Sequence, residues 1–474
     1  MISVEDLYSV YRECRYTVST DSRSIAGGEL FFALRGENFD GNVYAASALE
    51  KGASWAVVSQ DCKDENDRFI RVDDPFRMLQ ALATFHRTTL GLPVIGLTGT
   101  NGKTTTKELV AAVLKARFEV CATEGNLNND IGVPLSLLKI RPGTEIAVIE
   151  MGASHPDDIE KLVKVCRPDY GLITNVGKAH LQGFGSFEGV KAAKGALYRW
   201  LGSHEGGVIF LNEDDAVLKE MARKEACHVF GYGLDYQGAK VLTATPSEPY
   251  VRIRLSDGAV VSTRLVGSYN ATNVMAALAI GEYMGVSRAG AIAAIEAYEP
   301  SNKRSQLEIA GDNTLIIDAY NANPSSMGVA LDNLEAMDGE SKLALLGDMR
   351  ELGDDSLAEH IAVVERLLPS GINFFLVGEE FRKALIACDI PGMQFTTVQA
   401  PPKNTRGTSA EPGSIVPVNA ALPEDCGFRG WFASSSELAM ELGREPVRNS
   451  IVLIKGSRGT RMENVLGTLQ AVHK

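Results

Sequence analysis

A short run of residues, from Gly99 to Thr105, has the composition of a phosphate-binding loop. The run is GTNGKTT, and it follows an apolar segment and opens a helical pattern that extends to about Phe118. Backbone N–H groups at such a turn converge on an anion at the start of the helix. Lys103 would reach the β- and γ-phosphates of a nucleotide, and the Thr104 hydroxyl would ligate Mg²⁺. The pattern therefore predicts a nucleotide site made by Gly99, Thr100, Asn101, Gly102, Lys103, Thr104 and Thr105.

The loop departs from the strict eight-residue pattern, which has a glycine five positions before Gly102. Leu97 stands at that position. We therefore expect a related loop in which Gly99 and Gly102 make the turn. A glycine-rich turn without a ligand is the alternative, but GKTTT at a strand-to-helix junction favours a nucleotide.

Three later side chains are candidates for metal or phosphate chemistry. Glu150 closes the apolar run EIAVIE, and an acid that ends a buried strand near a phosphate loop commonly reaches Mg²⁺. Its alternative role is to cap the next helix. His180 follows the run GLITNV in a loop, where a lone histidine is usually a surface residue. Lys191 and Lys194 lie three residues apart on one predicted helix, and spacing alone predicts that both are solvated.

Two further polar groups could contact a ligand or could have an ordinary structural role. Asn270 and Asn273 open a predicted helix, where two amides can contact a base or a phosphate but can equally cap the helix. The triplet Asp21-Ser22-Arg23 precedes an apolar strand, and its spacing indicates a simple polar turn.

The last third of the chain repeats the arrangement of a strand followed by polar residues. One predicted strand ends at Asp318, Tyr320 and Asn321, before Pro324 at a possible helix start. The final strand, SIVLIK, is followed by a second cationic strand-to-helix junction, which suits a carboxylate or a phosphate. Its polar residues are Lys455, Ser457 and Arg458.

These side chains need a scaffold, and the apolar runs supply one. Candidate strands at 93–98, 146–151, 171–176 and 208–212 alternate with helical patterns, which indicates a mainly parallel sheet with ligands at its carboxyl edge. A small α/β unit precedes it. Short strands joined at Asp257-Gly258 form a predicted hairpin after it, and a third α/β unit follows. Residues 398–430 hold five of the 18 prolines and indicate an inserted surface loop.

Composition limits the class of protein. A length of 474 residues suggests roughly three domains. The net charge of −13 argues against a nucleic-acid partner and an anionic membrane. No apolar run approaches the roughly 18 to 20 residues of a membrane span, and the N-terminus lacks a signal-peptide pattern. Seven dispersed cysteines fit a reducing cytoplasm.

With these motifs, the sequence resembles a known family, the Mur ligases of peptidoglycan precursor synthesis. The resemblance covers nearly the whole chain apart from 398–430. It is carried by TDSR, GTNGKTTTK, EGNLNNDIGVPLSLL, VIEMGA, TNVGKAHLQGFGS, AAKGALY, GSYNATNVMAA, DAYNANPSSM, LGDMRELG and IKGSRGTRME. GTNGKTTTK is general to the superfamily, whereas DAYNANPSSM with LGDMRELG points to the branch that adds D-alanyl-D-alanine.

The resemblance implies an α/β protein of three domains. They are a UDP-sugar-binding domain at 1–82, a central P-loop ATPase with a mainly parallel sheet at 83–308, and a Rossmann-like domain at 309–474 that carries the insertion. It also implies a cytoplasmic, monomeric enzyme. The implied activity is ATP-dependent addition of D-alanyl-D-alanine to UDP-N-acetylmuramoyl-tripeptide through an acyl phosphate.

The resemblance also implies roles for single residues. Lys194 stands where the family carries a carbamylated lysine, which would turn a cation into a carboxylate ligand for a second Mg²⁺. Thr104, Glu150 and His180 match the other metal ligands. The expected catalytic residues are Lys103, Glu150, His180 and Lys194. Further nucleotide contacts fall on Asn270, Asn273, Arg304 and Asp318. Substrate contacts fall on Ser22, Arg23, Asn128, Asn129, Asn321, Lys455, Ser457 and Arg458.

Some positions differ from the family pattern. Tyr269 and Asn42 replace expected histidines, Lys178 replaces a glutamate, and Gly195-Ala196 replaces Gly-Glu. These changes leave the phosphate loop and the implied metal ligands intact. The alternatives are another ligase of the superfamily, such as the tripeptide-forming Mur ligase or a folylpolyglutamate synthase, and a P-loop nucleotide switch.

Overall fold

A computed structural model describes most of the chain. It covers residues 2–245, 248–300, 304–339, 341–388 and 427–471, and the backbone alone of 394–397 and 415–418. The chain divides into two compact units. The first contains residues 1–176, 191–233 and 274–294, and the second contains residues 177–190, 234–273 and 295–474.

The N-terminal part of the first unit is a small α/β layer. Its four-stranded parallel sheet has the order β1-β2-β5-β6, and β3 and β4 form a short hairpin. Ser3 caps the first helix, and Asp74 caps the third, which has Pro75 in its first turn. The elements are α1 (Val4–Glu13), β1 (Val18–Ser19), β2 (Leu30–Phe32), β3 (Arg35–Gly36), β4 (Phe39–Asp40), α2 (Ala45–Glu50), β5 (Trp55–Ser59), β6 (Phe69–Val72) and α3 (Pro75–Leu90).

The central sheet has six strands in the order β12-β11-β10-β7-β9-β8, and every neighbouring pair is parallel. Its inner strands are continuous apolar runs, as expected of a sheet covered on both faces. The elements are β7 (Val94–Thr98), α4 (Lys103–Leu114), β8 (Val120–Ala122), α5 (Gly132–Leu138), β9 (Ile146–Glu150), α6 (Asp158–Cys166), β10 (Tyr170–Ile173), α7 (Leu181–Phe184), α8 (Phe187–Lys194), α9 (Ala196–Gly202), β11 (Val208–Asn212), α10 (Ala216–Ala222) and β12 (His228–Tyr232).

The four strands expected in this region are confirmed, with two differences at element ends. The strand expected to reach Val176 ends at Ile173. The Thr174 N–H still donates to the Thr98 carbonyl of β7, but the Thr174 hydroxyl and the Asn175 oxygens bond to the glycine loop. The helix expected to reach Phe118 ends at Leu114.

One hydrophobic core joins the N-terminal layer and the central sheet within the first unit. The Tyr11 hydroxyl of α1 donates to the Leu138 carbonyl at the end of α5, at 2.6 Å. The ring of His86 in α3 lies between the Tyr8 hydroxyl, at 3.1 Å, and the Ile140 carbonyl, at 3.0 Å. The N-terminal layer therefore packs on the nucleotide sheet through buried polar contacts as well as apolar ones.

The second unit contains a three-stranded antiparallel sheet and a mixed six-stranded sheet in the order β16-β17-β23-β18-β19-β22, in which only β16 is antiparallel. The first confirms the hairpin expected at Asp257-Gly258. Helices α11 and α12 each cross between the two units along the chain. The elements are β13 (Lys240–Leu242), β14 (Tyr250–Arg254), β15 (Val260–Val266), α11 (Asn270–Tyr283), α12 (Arg288–Ala297), β16 (Gln306–Ala310), β17 (Asn313–Asp318), α13 (Pro324–Ala336), β18 (Ser341–Gly347), α14 (Ser356–Leu367), β19 (Asn373–Val377), α15 (Glu379–Ala387), β20 (Gln394–Thr397), β21 (Ile415–Val418), β22 (Phe428–Phe432), α16 (Ser435–Arg444), β23 (Ser450–Lys455) and α17 (Leu466–Ala471).

The expected insertion at 398–430 lies mostly outside the described residues. Within that range, β21 pairs in antiparallel fashion with β20, and residues 428–430 belong to β22. In the described part of the chain, no helix combines the length and the apolar character needed to cross a membrane.

Candidate active site

The glycine loop leaves the middle of the central sheet and is anchored by the residues that follow the neighbouring strand β10. The Thr100 and Asn101 N–H groups donate to the backbone oxygen and the side-chain oxygen of Asn175, each at 3.0 Å. The Thr174 hydroxyl donates to the Asn101 carbonyl at 2.6 Å. These bonds hold the loop open at the N-terminus of α4, where a phosphate would bind.

Two glycines make the turn, as expected. Gly99 has φ 151° and Gly102 has φ 78°. A Cβ built on Gly99 would lie 1.9 Å from Thr174 Oγ1, so only glycine allows the loop to approach β10. Leu97, at the position of the missing glycine, is fully buried within β7. The loop is therefore shorter than the strict pattern because the strand continues through that position.

Two lysines converge on the same carbonyl of this loop. Lys103 Nζ donates to the Gly99 carbonyl at 2.7 Å and to the Thr100 carbonyl at 3.0 Å. Lys194 Nζ donates to the Gly99 carbonyl at 2.9 Å. Lys194 is 3% exposed, and burial, together with the Lys103 charge, lowers its pKa well below the ordinary value. Lys194 is thus a buried amine beside the loop, and its lowered pKa favours the uncharged form more than in an ordinary lysine.

The expectation from spacing that Lys194 is solvated is wrong. Its helix neighbour Lys191 is also less exposed than spacing predicts, since its side chain is 15% exposed, but its amine pairs with Glu220 at 2.7 Å near the surface. The two lysines are separated by three residues, but the face of α8 that carries Lys194 is covered. Burial is a tertiary property that the spacing of two lysines does not contain.

Glu150 lies at the carboxyl end of β9, directly beside Leu97 of β7. Its side chain is buried, and Oε1 accepts from Asn128 Nδ2 at 2.8 Å and from the Thr104 hydroxyl at 3.3 Å. Oε2 is buried and has no hydrogen-bond partner among the described residues. The carboxylate does not cap the following helix, so that alternative is wrong. A buried carboxylate oxygen without a partner is a group that a cation would satisfy.

The asparagine pair after β8 is split between two tasks. Asn128 bonds to Glu150, and its backbone carbonyl accepts from Gly152 N at 2.7 Å. Asn129 Oδ1 accepts from Gly132 N at 2.8 Å, at the start of α5. Both residues therefore fix the loop that borders the carboxylate.

The predicted UDP-sugar turn lies in the N-terminal layer. The Arg23 guanidinium pairs with Asp21 at 2.7 Å, and hydrogen bonds from Arg23 lower the pKa of Asp21 to about 2. Lys51 Nζ donates to the Ser22 carbonyl at 2.9 Å. The Arg23 side chain is 86% exposed, so its outer face is available to an anion.

Three other predicted residues belong to the second unit. His180 has a left-handed backbone, with φ 52°, and its Nδ1 pairs with a carboxylate oxygen of Glu351. Asn273 Nδ2 donates to Asn270 Oδ1 at 2.9 Å, and Asn270 Nδ2 donates to the Val266 carbonyl at 2.8 Å. The two amides therefore bond to one another and to β15 at the start of α11.

The carboxyl edge of the mixed sheet carries a buried ion pair. Lys455 is 1% exposed, and its Nζ donates to Asp318 Oδ2 at 2.5 Å and to the Asn321 carbonyl at 3.3 Å. The two charged residues are neighbours in register on β23 and β17. The predicted cation at this junction is thus already neutralised by a predicted nucleotide contact.

Beside this pair, two guanidinium groups contact one aromatic ring. Arg304 and Arg458 lie 3.9 Å and 5.8 Å from the centroid of Tyr320. The Ser457 hydroxyl accepts from Arg350 N at 2.8 Å. Arg458 is exposed, so it is the cation of this junction that a ligand can reach.

The structure brings Lys103, Thr104, Asn128, Glu150 and Lys194 together at one edge of the central sheet. Sequence reasoning missed several of the residues that hold them, although each lies in a motif that the resemblance used or beside one. They are Lys107, Thr123, Thr174, Asn175 and, in the second unit, Arg350.

Three family models match the chain in succession. They are "Mur ligase family, catalytic domain" at residues 16–87, "Mur ligase middle domain" at 97–281, and "Mur ligase, glutamate ligase domain" at 304–421.

Curated relatives and solved structures agree with these matches. The chain is 37% identical to the UDP-N-acetylmuramoyl-tripeptide–D-alanyl-D-alanine ligase of Bacillus subtilis, over 71% of this chain and 74% of the relative. It is 34% identical to the enzyme of that name from Haemophilus influenzae, over 80% and 84%.

MurF of Acinetobacter baumannii superposes with a TM-score of 0.78 at 28% identity, covering 96% of this chain and 93% of that one. MurF ligase of Thermotoga maritima in complex with ADP superposes with a TM-score of 0.75 at 25% identity, covering 96% and 97%. The fold is the three-domain α/β fold of these ligases, and the chain belongs to the Mur ligase family.

Proposed function

We propose that this chain is an ATP-dependent ligase that joins D-alanyl-D-alanine to UDP-N-acetylmuramoyl-tripeptide. The names of the curated relatives support this substrate pair, and the ADP in the Thermotoga structure supports the nucleotide. The observation that carries the proposal is the edge of the central sheet, where a phosphate loop, a buried carboxylate oxygen without a described partner and a buried lysine meet. A loop that binds phosphate and a carboxylate that binds Mg²⁺ are groups that phosphoryl transfer commonly uses.

The nucleotide would bind to the loop from Gly99 to Thr105. Lys103 rests on two loop carbonyls, so its amine is close to the backbone that would surround the phosphates. Base and ribose contacts are assigned to residues of the second unit on the strength of the family resemblance. They are Asn270, Asn273, Arg304 and Asp318.

The residues at this edge fit Mg²⁺, which prefers oxygen ligands. Glu150 offers a buried oxygen without a partner, and Thr104 offers a hydroxyl that already lies 3.3 Å from the same carboxylate. Two Mg²⁺ would be held by Thr104, Glu150, His180 and a modified Lys194. When bound, the ions would polarise the transferred phosphoryl group.

Lys194 fits the proposed carbamate. A neutral amine attacks CO₂, and the new N–C bond forms as the nitrogen loses a proton, which leaves a carboxylate. Burial and the charge of Lys103 lower the pKa of Lys194, which favours its neutral amine form. The carbamate would place a negative charge near that lysine, where the folded chain now has two amines on one carbonyl.

The proposed reaction has two balanced steps. A carboxylate oxygen of the tripeptide attacks the γ-phosphorus, and the bond to ADP breaks to give an acyl phosphate. The amine of D-alanyl-D-alanine then attacks the acyl carbon, loses a proton and expels phosphate. Lys103 would stabilise charge on the transferred group, and Asn128 would hold Glu150 in place. Positioning and electrostatics supply the catalysis, since neither step uses a protein nucleophile.

Substrate contacts are assigned to each end of the chain. Ser22 and Arg23 would receive the UDP-sugar, and Asn128 and Asn129 would border the reacting carboxylate. For the dipeptide, Arg458 is the exposed cation, whereas Lys455 is buried and would position Asp318 and Asn321. Ser457 would fix the turn beside them. These assignments correspond to proposed domains at 1–82, 83–308 and 309–474.

Phosphate release tests the proposal. The purified protein is mixed with ATP, Mg²⁺ and UDP-N-acetylmuramoyl-tripeptide, with and without D-alanyl-D-alanine. Released phosphate is measured, and the products are identified by mass spectrometry. We expect release that requires both acceptor and dipeptide, with one new amide per phosphate. Release that is indifferent to either substrate would refute the ligase and favour a nucleotide switch.

A further inference from the structure

A buried lysine on the phosphate-loop helix takes no part in the function proposed above. Lys107 lies one helical turn after Thr104 on α4 and is 2% exposed. Its Nζ donates to the Thr123 carbonyl at 2.7 Å and lies 3.5 Å from a carboxylate oxygen of Glu108. A lysine is rarely buried to this extent without a specific partner.

The partner of Lys107 is itself bonded to the metal-ligand candidate. The Thr123 hydroxyl accepts from the backbone N–H of Glu150 at 3.0 Å, and Thr123 N donates to the Val148 carbonyl at 3.0 Å. Thr123 is 2% exposed. Lys107 therefore fastens the residue after β8 to α4, and that residue in turn fastens the end of β9.

The same segment leads directly into the loop that carries Asn128, whose amide bonds to Glu150 Oε1. Glu150 is thus held at its backbone through Thr123 and at one carboxylate oxygen through Asn128 and Thr104. These restraints leave Oε2 as the oxygen without a protein partner. A shift of the Glu150 backbone or a tilt of the carboxylate would change the direction in which the oxygen without a partner points, so these restraints fix the direction from which a cation can bind.

We infer that Lys107 is a positioning residue that acts through Thr123 to orient Glu150 toward its cation. The inference rests on the proposed metal role of Glu150. Residues that orient a metal ligand typically contribute about 10- to 100-fold to metal affinity. A hydrophobic residue at 107 would fill the space but would not donate to the Thr123 carbonyl.

The test is Mn²⁺ binding to the full chain with ADP, followed by EPR, with a protein-free sample to subtract the Mn²⁺–ADP complex. We expect Lys107→Met to weaken Mn²⁺ binding about tenfold or more, and Lys107→Arg to restore it. Lys115→Met removes an exposed lysine at the C-cap of α4, and this variant should bind Mn²⁺ like the unchanged chain. Melting temperatures recorded in parallel identify variants that do not fold.

Thr123→Val provides a second variant, because it removes the hydroxyl that accepts from Glu150 but keeps the carbonyl that accepts from Lys107. Weakened Mn²⁺ binding in folded Thr123→Val supports the inference even where Lys107→Met does not fold. Unchanged binding in either folded variant overturns it, since a merely structural lysine would change only the melting temperature. If the unchanged chain with ADP binds no Mn²⁺ beyond the protein-free sample, the proposed metal role fails together with the inference.

Discussion

The carboxyl edges of the two large sheets differ in how their buried charged side chains are paired. At the central sheet, Lys103 and Lys194 bond to backbone carbonyls, and Glu150 keeps one buried oxygen without a partner in the described chain. At the mixed sheet, Lys455 and Asp318 neutralise each other. The first edge leaves charges for a ligand to satisfy, and the second satisfies its own.

The carboxylate of Asp348, also in the mixed-sheet region, is likewise satisfied by protein groups. Its two oxygens accept from the backbone N–H groups of Glu380 and Phe381 at 3.1 Å and 3.0 Å. His360, which is fully buried, accepts from Met349 N through Nε2 and donates to the Ser356 carbonyl through Nδ1. Burial nevertheless raises the pKa of Asp348. The buried carboxylate of Asp348 is thus hydrogen-bonded through both oxygens, whereas Glu150 at the candidate active site has one oxygen without a described partner.

The largest effect should come from the incomplete edge. We expect Lys194→Ala to abolish turnover, with a loss of at least about 1,000-fold in kcat, because it would remove the proposed carbamate, which is both a metal ligand and a negative charge. Lys191→Ala, on the same helix, should retain activity because that lysine pairs with Glu220. The assay is amide formation by mass spectrometry. Near-normal turnover of Lys194→Ala would contradict a metal role.

At the carboxyl edge of the mixed sheet, we expect that breaking the buried ion pair causes a large loss of stability. Lys455→Met leaves Asp318 without its buried partner and should lower the free energy of unfolding by about 3 kcal/mol. Lys103→Met, which loses the bonds to the Gly99 and Thr100 carbonyls, should cost about 1 kcal/mol. Urea unfolding measures both. The double change Lys455→Met with Asp318→Asn should recover much of the loss, and failure to recover would argue against the ion pair as the cause.

A moderate effect is expected where the loop approaches β10. Gly99→Ala places a methyl group 1.9 Å from Thr174 Oγ1 and should cost about 2 kcal/mol of stability through the shift this forces. The matched control is Gly125→Ala, at φ 54° with no atom within 4 Å of the new Cβ. The control contains the backbone strain without the clash. Equal unfolding midpoints for the two variants would show that the close approach is unimportant.

The smallest effect should come from a carboxylate at the surface, Glu220, which lies outside both edges. Lys191 and Lys224 lower the pKa of Glu220 to about 2, so this carboxylate stabilises the fold above its ordinary pKa of about 4.3 and loses that contribution as pH falls toward 2. Glu220→Gln should lower the melting temperature slightly at pH 7 and not at pH 2. High salt should reduce the difference, because the carboxylate is exposed. A salt-independent difference would contradict an electrostatic origin.

The sequence by itself determined the phosphate loop, the strands around it and the family. These are local properties, since a run such as VIGLT followed by two glycines, a lysine and threonines has few other stable conformations. It also placed Glu150 at a strand end and Pro324 at a helix start, where Asn323 forms the cap. The absent glycine at Leu97 changed only the length of the loop.

Only the tertiary structure decided which of these groups are charged, paired or free. Lys194 bonds to a carbonyl 95 positions earlier, and Lys455 to a carboxylate 137 positions earlier. Spacing along the chain therefore cannot reveal either partner. It likewise gave no reason to single out Lys107 and Thr123, whose contacts join a helix to two strands. The charge and the hydrogen-bond partners of a buried group depend on the residues packed around it, and these residues come from distant segments of the chain.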